Sequence, residues 1–189
     1  MRKTLIAVAI TCCAFAGSAA AALSKDEYKA QKDRIEADYK ASVDQCKTLK
    51  NNAQDICKVE AKGKQKVANA ELEASNEPSP RADQKLQTAK ADAAYQLAKE
   101  KCDDLSGNAK DVCRKDARAA FVSAKADTKV GKAAGETGAK SQQTADQRKE
   151  AAADKTDAQY AAAKERCDAM SGQAKDNCIN DAKKKFGKM

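Results

Sequence analysis

The 189-residue sequence contains no histidine and no tryptophan, and aromatic residues make up only 4% of it. The lack of histidine excludes Cys/His zinc sites and catalysis of the Ser-His-Asp type, because both need an imidazole. The sequence also has no Gly-rich phosphate loop, no Gly-x-Ser-x-Gly motif and no segment with strand-like alternation. We therefore expect an all-α protein that is not an enzyme and has no catalytic residue, no cofactor and no metal site.

Large apolar side chains are scarce as well. Within residues 23–189 only 17 are Leu, Ile, Val or Phe, whereas Ala is abundant. A chain so poor in aliphatic residues often stays disordered, but Ala has the highest helix propensity of all residues. The composition therefore predicts long, exposed helices that pack along narrow seams.

The one long apolar run lies at the N-terminus. Arg2 and Lys3 precede a mostly apolar run over residues 5–15, and small residues follow over 17–22. This order is typical of a secretory signal peptide, which we assign to residues 1–22 with cleavage after Ala22, or alternatively after Ala20. No later run is apolar enough to cross a bilayer. We expect an exported mature chain without a transmembrane anchor.

Six cysteines lie outside residues 1–22. They form three pairs, and ten residues separate the two members of each pair. The pairs are Cys46 with Cys57, Cys102 with Cys113, and Cys167 with Cys178. One continuous helix would hold each pair roughly 16 Å apart, whereas a disulfide needs Cα atoms within about 7 Å. Asn51, Gly107 and Gly172 lie between the cysteines, and these residue types favour the left-handed conformation of a turn. Each pair therefore predicts a disulfide at the turn of an antiparallel helical hairpin.

Apolar residues before and after each turn recur at helical spacing. Tyr95, Ala98, Cys102 and Leu105 are separated by three, four and three residues, which places them on one helix face. A tyrosine precedes the first cysteine by seven residues in every copy (Tyr39, Tyr95, Tyr160), and we expect it to pack against that cysteine. Metal binding by the cysteines is an alternative, although their spacing does not suit zinc. Redox catalysis is a weaker one, because the mature chain has no C-x-x-C motif.

The repeats and breaks define a domain organisation. The predicted parts are hairpin repeat 1 (23–75), a Pro-containing linker (76–80), hairpin repeat 2 (81–129), a flexible Gly-containing linker (130–145) and hairpin repeat 3 (146–189). The repeats are offset by 56 and 65 residues, and this inequality favours an elongated, coiled-coil-like arrangement over a solenoid with one fixed period. Packing between the hairpins and the oligomeric state remain open at this stage.

One sequence pattern resembles a known group of proteins. It comprises the segment 23–30 after the signal and the repeated Cys-Asp-x-(Leu/Met)-Ser-Gly-x-Ala-Lys-Asp-x-Cys. The chain resembles small exported proteins of beta-proteobacteria that are labelled cell-envelope biogenesis TolA-like, over most of its mature length. The resemblance implies a periplasmic helical protein tied to envelope integrity or stress.

The charge distribution narrows the choice of partners. The formal net charge is +8, but acidic and basic residues are interleaved, and residues 183–185 form the one dense basic cluster. Nucleic acid is therefore not expected as a partner; envelope proteins or anionic envelope surfaces are the candidates. We predict a non-enzymatic periplasmic structural or stress-related envelope protein. The alternative is a periplasmic binding or chaperone-like module that holds a protein partner or a metal ion on its helical faces.

Overall fold

The structure is a computed structural model that describes residues 23–135 and 141–188. These residues form six α-helices and one short 3-10 helix, with no strand. The α-helices are α1 (Lys25–Cys46), α2 (Asn51–Asn76), α3 (Pro80–Lys101), α4 (Gly107–Gly135), α5 (Ser141–Cys167) and α6 (Gly172–Lys185), and the 3-10 helix spans Cys102–Asp104. The all-α prediction is confirmed. The predicted signal peptide, residues 1–22, lies outside the described residues.

Side-chain caps start the first helix of two hairpins. The Ser24 hydroxyl accepts a hydrogen bond from the Glu27 amide, and a carboxylate oxygen of Glu27 accepts one from the Ser24 amide. These bonds lower the pKa of Glu27. Ser79 caps α3 in the same way through the Ala82 amide, and Pro80 occupies the first turn, where its missing N–H costs nothing.

The three hairpin turns share one backbone conformation. Asn51, Gly107 and Gly172 all have positive φ, at 54°, 54° and 56°. Asn51 is the only residue with a side chain that takes a positive φ in the described residues, and Asn tolerates this conformation better than most residues. The left-handed positions predicted from the sequence are confirmed, although each lies at the first position of the second helix and not at the end of the first.

Replacing Gly107 by Val should lower the free energy of unfolding, because this turn position has a positive φ. A Cβ at Gly107 meets no atom within 4 Å, so the cost comes from the backbone alone, at about 2 kcal/mol for a β-branched residue in the left-handed region. Thermal or urea unfolding of Gly107→Val should show this loss. Gly107→Asn should lose much less because Asn51 holds the same conformation, and Asn108→Ala is the neighbouring control. Equal losses for Gly107→Val and Asn108→Ala would contradict this account of the turn.

Within each hairpin the two helices are antiparallel. Each disulfide joins the helices beside the turn, and contacts further from the turn keep the same register. In the second hairpin the rings of Tyr95 and Phe121 stack with centroids 4.7 Å apart. In the third, Tyr160 meets Phe186 edge-on at 6.4 Å. Tyr95 and Tyr160 therefore each have an aromatic partner, while the predicted packing of the tyrosines on cysteine stays a prediction.

The hairpins also pack on one another. Helix α2 lies against α3, and α4 against α5, so every helix packs against its chain neighbours. The Lys90 ammonium lies 3.0 Å from the Glu71 carboxylate across the first of these seams, and Lys155 lies 3.2 Å from Asp127 across the second. In the described residues no extensive contact joins helices that are not consecutive. The result is an open antiparallel array in which the three hairpins pack on one another.

The buried side chains are few and small. In the part of the chain that the structure describes, they are alanines and the first cysteine of each pair, apart from Leu72; the alanines are Ala61, Ala82, Ala91, Ala117, Ala119, Ala126, Ala151, Ala162 and Ala182. Gly63 is buried in the seam between α2 and α3, where an added Cβ would stand 3.1 Å from the Ala93 Cβ. Small residues let helix axes approach closely. The narrow seams expected from the composition are what the structure shows.

The predicted flexible linker 130–145 differs from the structure at both ends. Helix α4 continues to Gly135 and α5 begins at Ser141, while residues 136–140 lie outside the described residues. The Ala, Lys and Gln residues of this segment favour helix, and one glycine inside a helix costs only about 1 kcal/mol. At the other linker the chain leaves α2 at Asn76 and enters α3 at Pro80.

Candidate functional site

The three disulfide turns lie at one edge of the array, which we call the disulfide edge. All neighbouring helices are antiparallel, so every second connection falls at the same end. The Asn52 amide in the first turn donates to the Glu100 carbonyl at 3.2 Å and to Asp104 Oδ1 at 2.7 Å beside the second turn. Arg166, just before the third turn, pairs with Asp116 of α4. These bonds link the turns of neighbouring hairpins.

Each disulfide is formed as the cysteine spacing predicted. Cys46 bonds to Cys57, Cys102 to Cys113, and Cys167 to Cys178, with Cα separations of 5.6, 5.6 and 5.7 Å. The first cysteine of every pair is completely buried, at 0% exposure, whereas the second is half-buried. All six cysteines of the described residues are therefore used for cross-links, and none of these six is a free thiolate that could bind a metal.

In the second and third turns, an aspartate forms an ion pair with a basic residue of the helix that follows. Asp103 lies 3.0 Å from the Lys110 ammonium and 2.6 Å from the Arg114 guanidinium, and these hydrogen bonds lower the pKa of Asp103. Asp168 pairs with Lys175 at 2.8 Å, which lowers the pKa of Asp168. These acids thus stabilise the turn.

The first turn is closed differently. Gln54 occupies the position of Lys110, and its amide donates to the carbonyls of Cys46 at 3.4 Å and Leu49 at 3.2 Å. Lys47 stands where the other copies have Asp103 and Asp168. A neutral amide bonding to carbonyls therefore replaces the ion pair, so the first turn should not share the acid sensitivity of the other two.

Acid should weaken the second hairpin through Asp103. Its folded pKa is lower than its unfolded pKa, so the carboxylate stabilises the fold above the ordinary aspartate pKa of about 3.9 and loses this effect as the pH falls further. Asp103→Asn should lower the melting temperature at about pH 7, and this deficit should become smaller as the pH falls towards about 2. Asp111→Asn removes a carboxylate from the same turn and is the control. An Asp103→Asn deficit that persists in acid would contradict the assignment.

One residue of each turn departs from the sequence prediction. Leu105 and its equivalents were expected in the apolar seams, but Leu49, Leu105 and Met170 are exposed by 41%, 43% and 46%. They are the exposed large hydrophobic residues of the described chain, and each stands three positions after a first cysteine. The chain leaves its helical path there to form the turn, so helical spacing no longer gives the side-chain direction. The disulfide edge therefore carries three apolar side chains.

A shallow apolar groove lies along the seam between α2 and α3. It has a volume of about 350 Å³, and its apolar lining comprises Gly63, Val67, Ala68, Ala93, Ala94 and Leu97. The Lys64 ammonium lies 2.8 Å from Glu60 at its rim, a hydrogen bond that lowers the pKa of Glu60. The groove offers apolar surface between charged rims. This chemistry suits an apolar side chain or a short apolar segment of another protein.

A second groove, of about 460 Å³, lies among α4, α5 and the end of α6. Its charged lining residues are Asp116, Arg166 and Lys185, and two of these, Arg166 and Asp116, already bond to each other. The groove is therefore more polar than the one between α2 and α3. It offers no apolar strip of similar extent.

The remaining observations concern location and relatedness. Residues 23–135 and 141–188 hold no group of three or more potential metal-ligating side chains, and none of their helices has the length and apolarity needed to cross a membrane. Three disulfides indicate an oxidising, exported location. In comparisons with known proteins, no family model, no curated protein and no solved structure matches this chain.

Proposed function

We propose that this chain is a non-enzymatic structural or stress-related protein of the cell envelope. In this proposal residues 1–22 direct export and are removed, and the mature protein resides in the periplasm. The observation that carries it is the construction of the array. The repeated motif supplies the staple of each hairpin, the ion pairs that close two turns and a bond between neighbouring turns. The resemblance to TolA-like envelope proteins supports the same role.

Peptide mapping without reduction tests the location. The protein would be taken from its native compartment by osmotic shock. An N-terminus at Leu23 and peptides joined as Cys46–Cys57, Cys102–Cys113 and Cys167–Cys178 are expected. An intact residue 1–22 segment, or free thiols in the isolated protein, would contradict export to an oxidising compartment.

A deletion strain tests the role in the envelope. Loss of the protein should raise sensitivity to detergent or to chelators that weaken the outer surface, and the wild-type gene should restore resistance. The matched control is a gene in which Cys102 and Cys113 are both replaced by Ser, which removes one staple and keeps the export signal. A deletion strain indistinguishable from its parent under all such stresses would overturn the structural role.

A binding or chaperone-like role is the second candidate, and the groove between α2 and α3 favours it. A protein that holds unfolded clients should suppress their aggregation at a near-stoichiometric ratio. Ala94 is an exposed groove residue, so Ala94→Lys should weaken suppression without disturbing a buried seam. Ala174→Lys, at an exposed position of α6, is the control. If the wild-type protein did not suppress aggregation, the chaperone-like role would be ruled out and the structural role would be the one that remains.

A further inference from the structure

Helix α1 is at an open end of the array. Helices α2, α3, α4 and α5 each pack between two neighbours, whereas α1 packs against α2 only. Residues 29–34, 36–38 and 40–41 of α1 are exposed, whereas Ile35, Tyr39, Ser42 and Val43 are half-buried. One long helix face therefore has no partner within the described residues.

The internal repeat shows what the equivalent face does elsewhere. Alignment on Tyr39, Tyr95 and Tyr160 relates α1 to α3 by 56 residues and to α5 by 121. The corresponding faces of α3 and α5 each pack against the second helix of the preceding hairpin. The unpartnered face of α1 is thus the copy of a surface that is twice covered by a helix of this same fold.

The individual residues correspond as well. Ala93, which lies against Gly63 in the first seam, corresponds to Ala37. Lys90 and Lys155, which pair with acids of the preceding hairpin, both correspond to Arg34. Buried Ala162 corresponds to Ala41. Ala37, Ala41 and Arg34 are exposed on α1.

The opposite end of the array does not supply a matching surface. Helix α6 has 14 residues, against 26 in α2 and 29 in α4. Lys184 stands at the position that is Gly63 in α2 and Ala119 in α4. A lysine at this position would keep a second helix away. A head-to-tail contact between α1 and α6 of another copy is therefore disfavoured.

Two copies of α1 are complementary to each other when they run antiparallel. Arg34, Ala37, Ala41 and Asp44 are spaced by three, four and three residues, so they share one face. If Ala37 lies opposite the partner's Ala41, then Arg34 lies opposite the partner's Asp44. Two-fold symmetry produces both contacts twice.

The carboxylate needed for this contact is accessible. Asp44 is exposed, and its Oδ1 bonds to Lys47 at 2.6 Å in the same turn of helix. A carboxylate accepts at both oxygens, so Oδ2 can accept from a partner's guanidinium. We propose that the outer face of α1 is a self-association surface through which two copies of this chain form an antiparallel dimer.

Sedimentation of the oxidised protein tests the proposal. We expect a reversible monomer–dimer equilibrium within about 1 μM to 1 mM. Ala37→Lys places a charge at the seam and should weaken dimerisation at least tenfold. Ala174→Lys adds the same charge at an exposed position of α6 and should leave it unchanged. At a concentration low enough for the wild type to be monomeric, the melting temperatures of both variants should equal that of the wild type, because neither site is buried in the monomer.

A charge swap tests the register. Arg34→Glu should weaken the dimer roughly threefold to tenfold, as expected for two exposed charge pairs, and adding Asp44→Arg should restore it. Lys184→Glu separates this dimer from a head-to-tail chain, because only the latter uses α6. A monomer at every concentration, or a dimer insensitive to Ala37→Lys, would overturn the proposal. Association changed by Lys184→Glu and growing beyond two copies would overturn it in favour of the head-to-tail contact.

Discussion

Reduction of the three disulfides is expected to abolish most of the helical structure at about 25 °C. Each bond closes a loop spanning 11 residues of sequence separation and contributes about 3 kcal/mol in the chain-entropy model. Three such bonds contribute a stabilisation comparable to the whole free energy of unfolding of a typical domain, which is about 5–15 kcal/mol. The buried side chains are mostly alanines, so little apolar burial is present to compensate.

Far-UV circular dichroism of the reduced and alkylated chain measures this loss. The control is the oxidised protein treated with the alkylating agent alone. If the reduced chain kept the helicity and melting temperature of the oxidised one, seams between the helices would be supplying the stability, and the disulfides would be secondary.

The third hairpin should depend most on its bond. Helix α6 has 14 residues, close to the length at which an isolated helix is marginal in water, and it packs against α5 on one side only. Replacing Cys167 and Cys178 together by Ser should therefore release α6 before the rest of the array. Hydrogen exchange over residues 172–185 should accelerate more than exchange over α4 does when Cys102 and Cys113 are replaced.

Local features of this fold could be predicted from the sequence because the residues that determine them lie close together. The cysteine pairing follows from a spacing that one helix cannot span, and Gly107 marks the turn because few other residues adopt its conformation. Ser24 and Ser79 mark helix starts through bonds to amides three residues later. Each inference needed only a short segment and one rule of backbone geometry.

Packing between hairpins was not predictable, because its signal is carried by small residues. Gly63 would ordinarily be a weak point of a helix, but here it lies close against Ala93 of α3. The unequal repeat offsets argued only against a solenoid with one fixed period and left packing between the hairpins open. The structure accommodates them with longer helices, since α4 and α5 have 29 and 27 residues where α2 and α3 have 26 and 22. The helices therefore still pair in antiparallel orientation, and the extra residues lie at the end opposite the disulfide edge.

The exposure of the turn residues and the unpartnered face of α1 could not be predicted from the sequence either. A three-four spacing assigned Leu105 to a seam, but that rule holds only while the chain remains helical, and the chain leaves the helix after Asp104. The free side of α1 is rich in charge and alanine, and nothing in its own composition marks it as a contact surface. Only the packing of the equivalent helices α3 and α5 does so.

Gly63→Leu is expected to separate α2 from α3 and to lower the free energy of unfolding by about 3 kcal/mol, at the upper end of the usual cost of overpacking. A Cβ at this position would already stand 3.1 Å from the Ala93 Cβ, and Leu adds three more carbon atoms beyond it. The seam can accept them only if the helices move apart, which would also lengthen the contact between Lys90 and Glu71.

Helix propensity acts against the expected loss of stability, so the two effects can be told apart by their direction. Leu is a better helix former than Gly by about 0.8 kcal/mol, so a loss of stability must come from the contact between hairpins and not from α2 itself. Urea unfolding measures the loss. Ala53→Leu, at an exposed position of the same helix, is the control and should be nearly neutral, while Gly63→Ala should fall between the two because its single methyl group gains propensity but crowds Ala93. A Gly63→Leu protein as stable as the wild type would mean that α2 and α3 do not pack here in solution, and the first hairpin would then be separate from the other two.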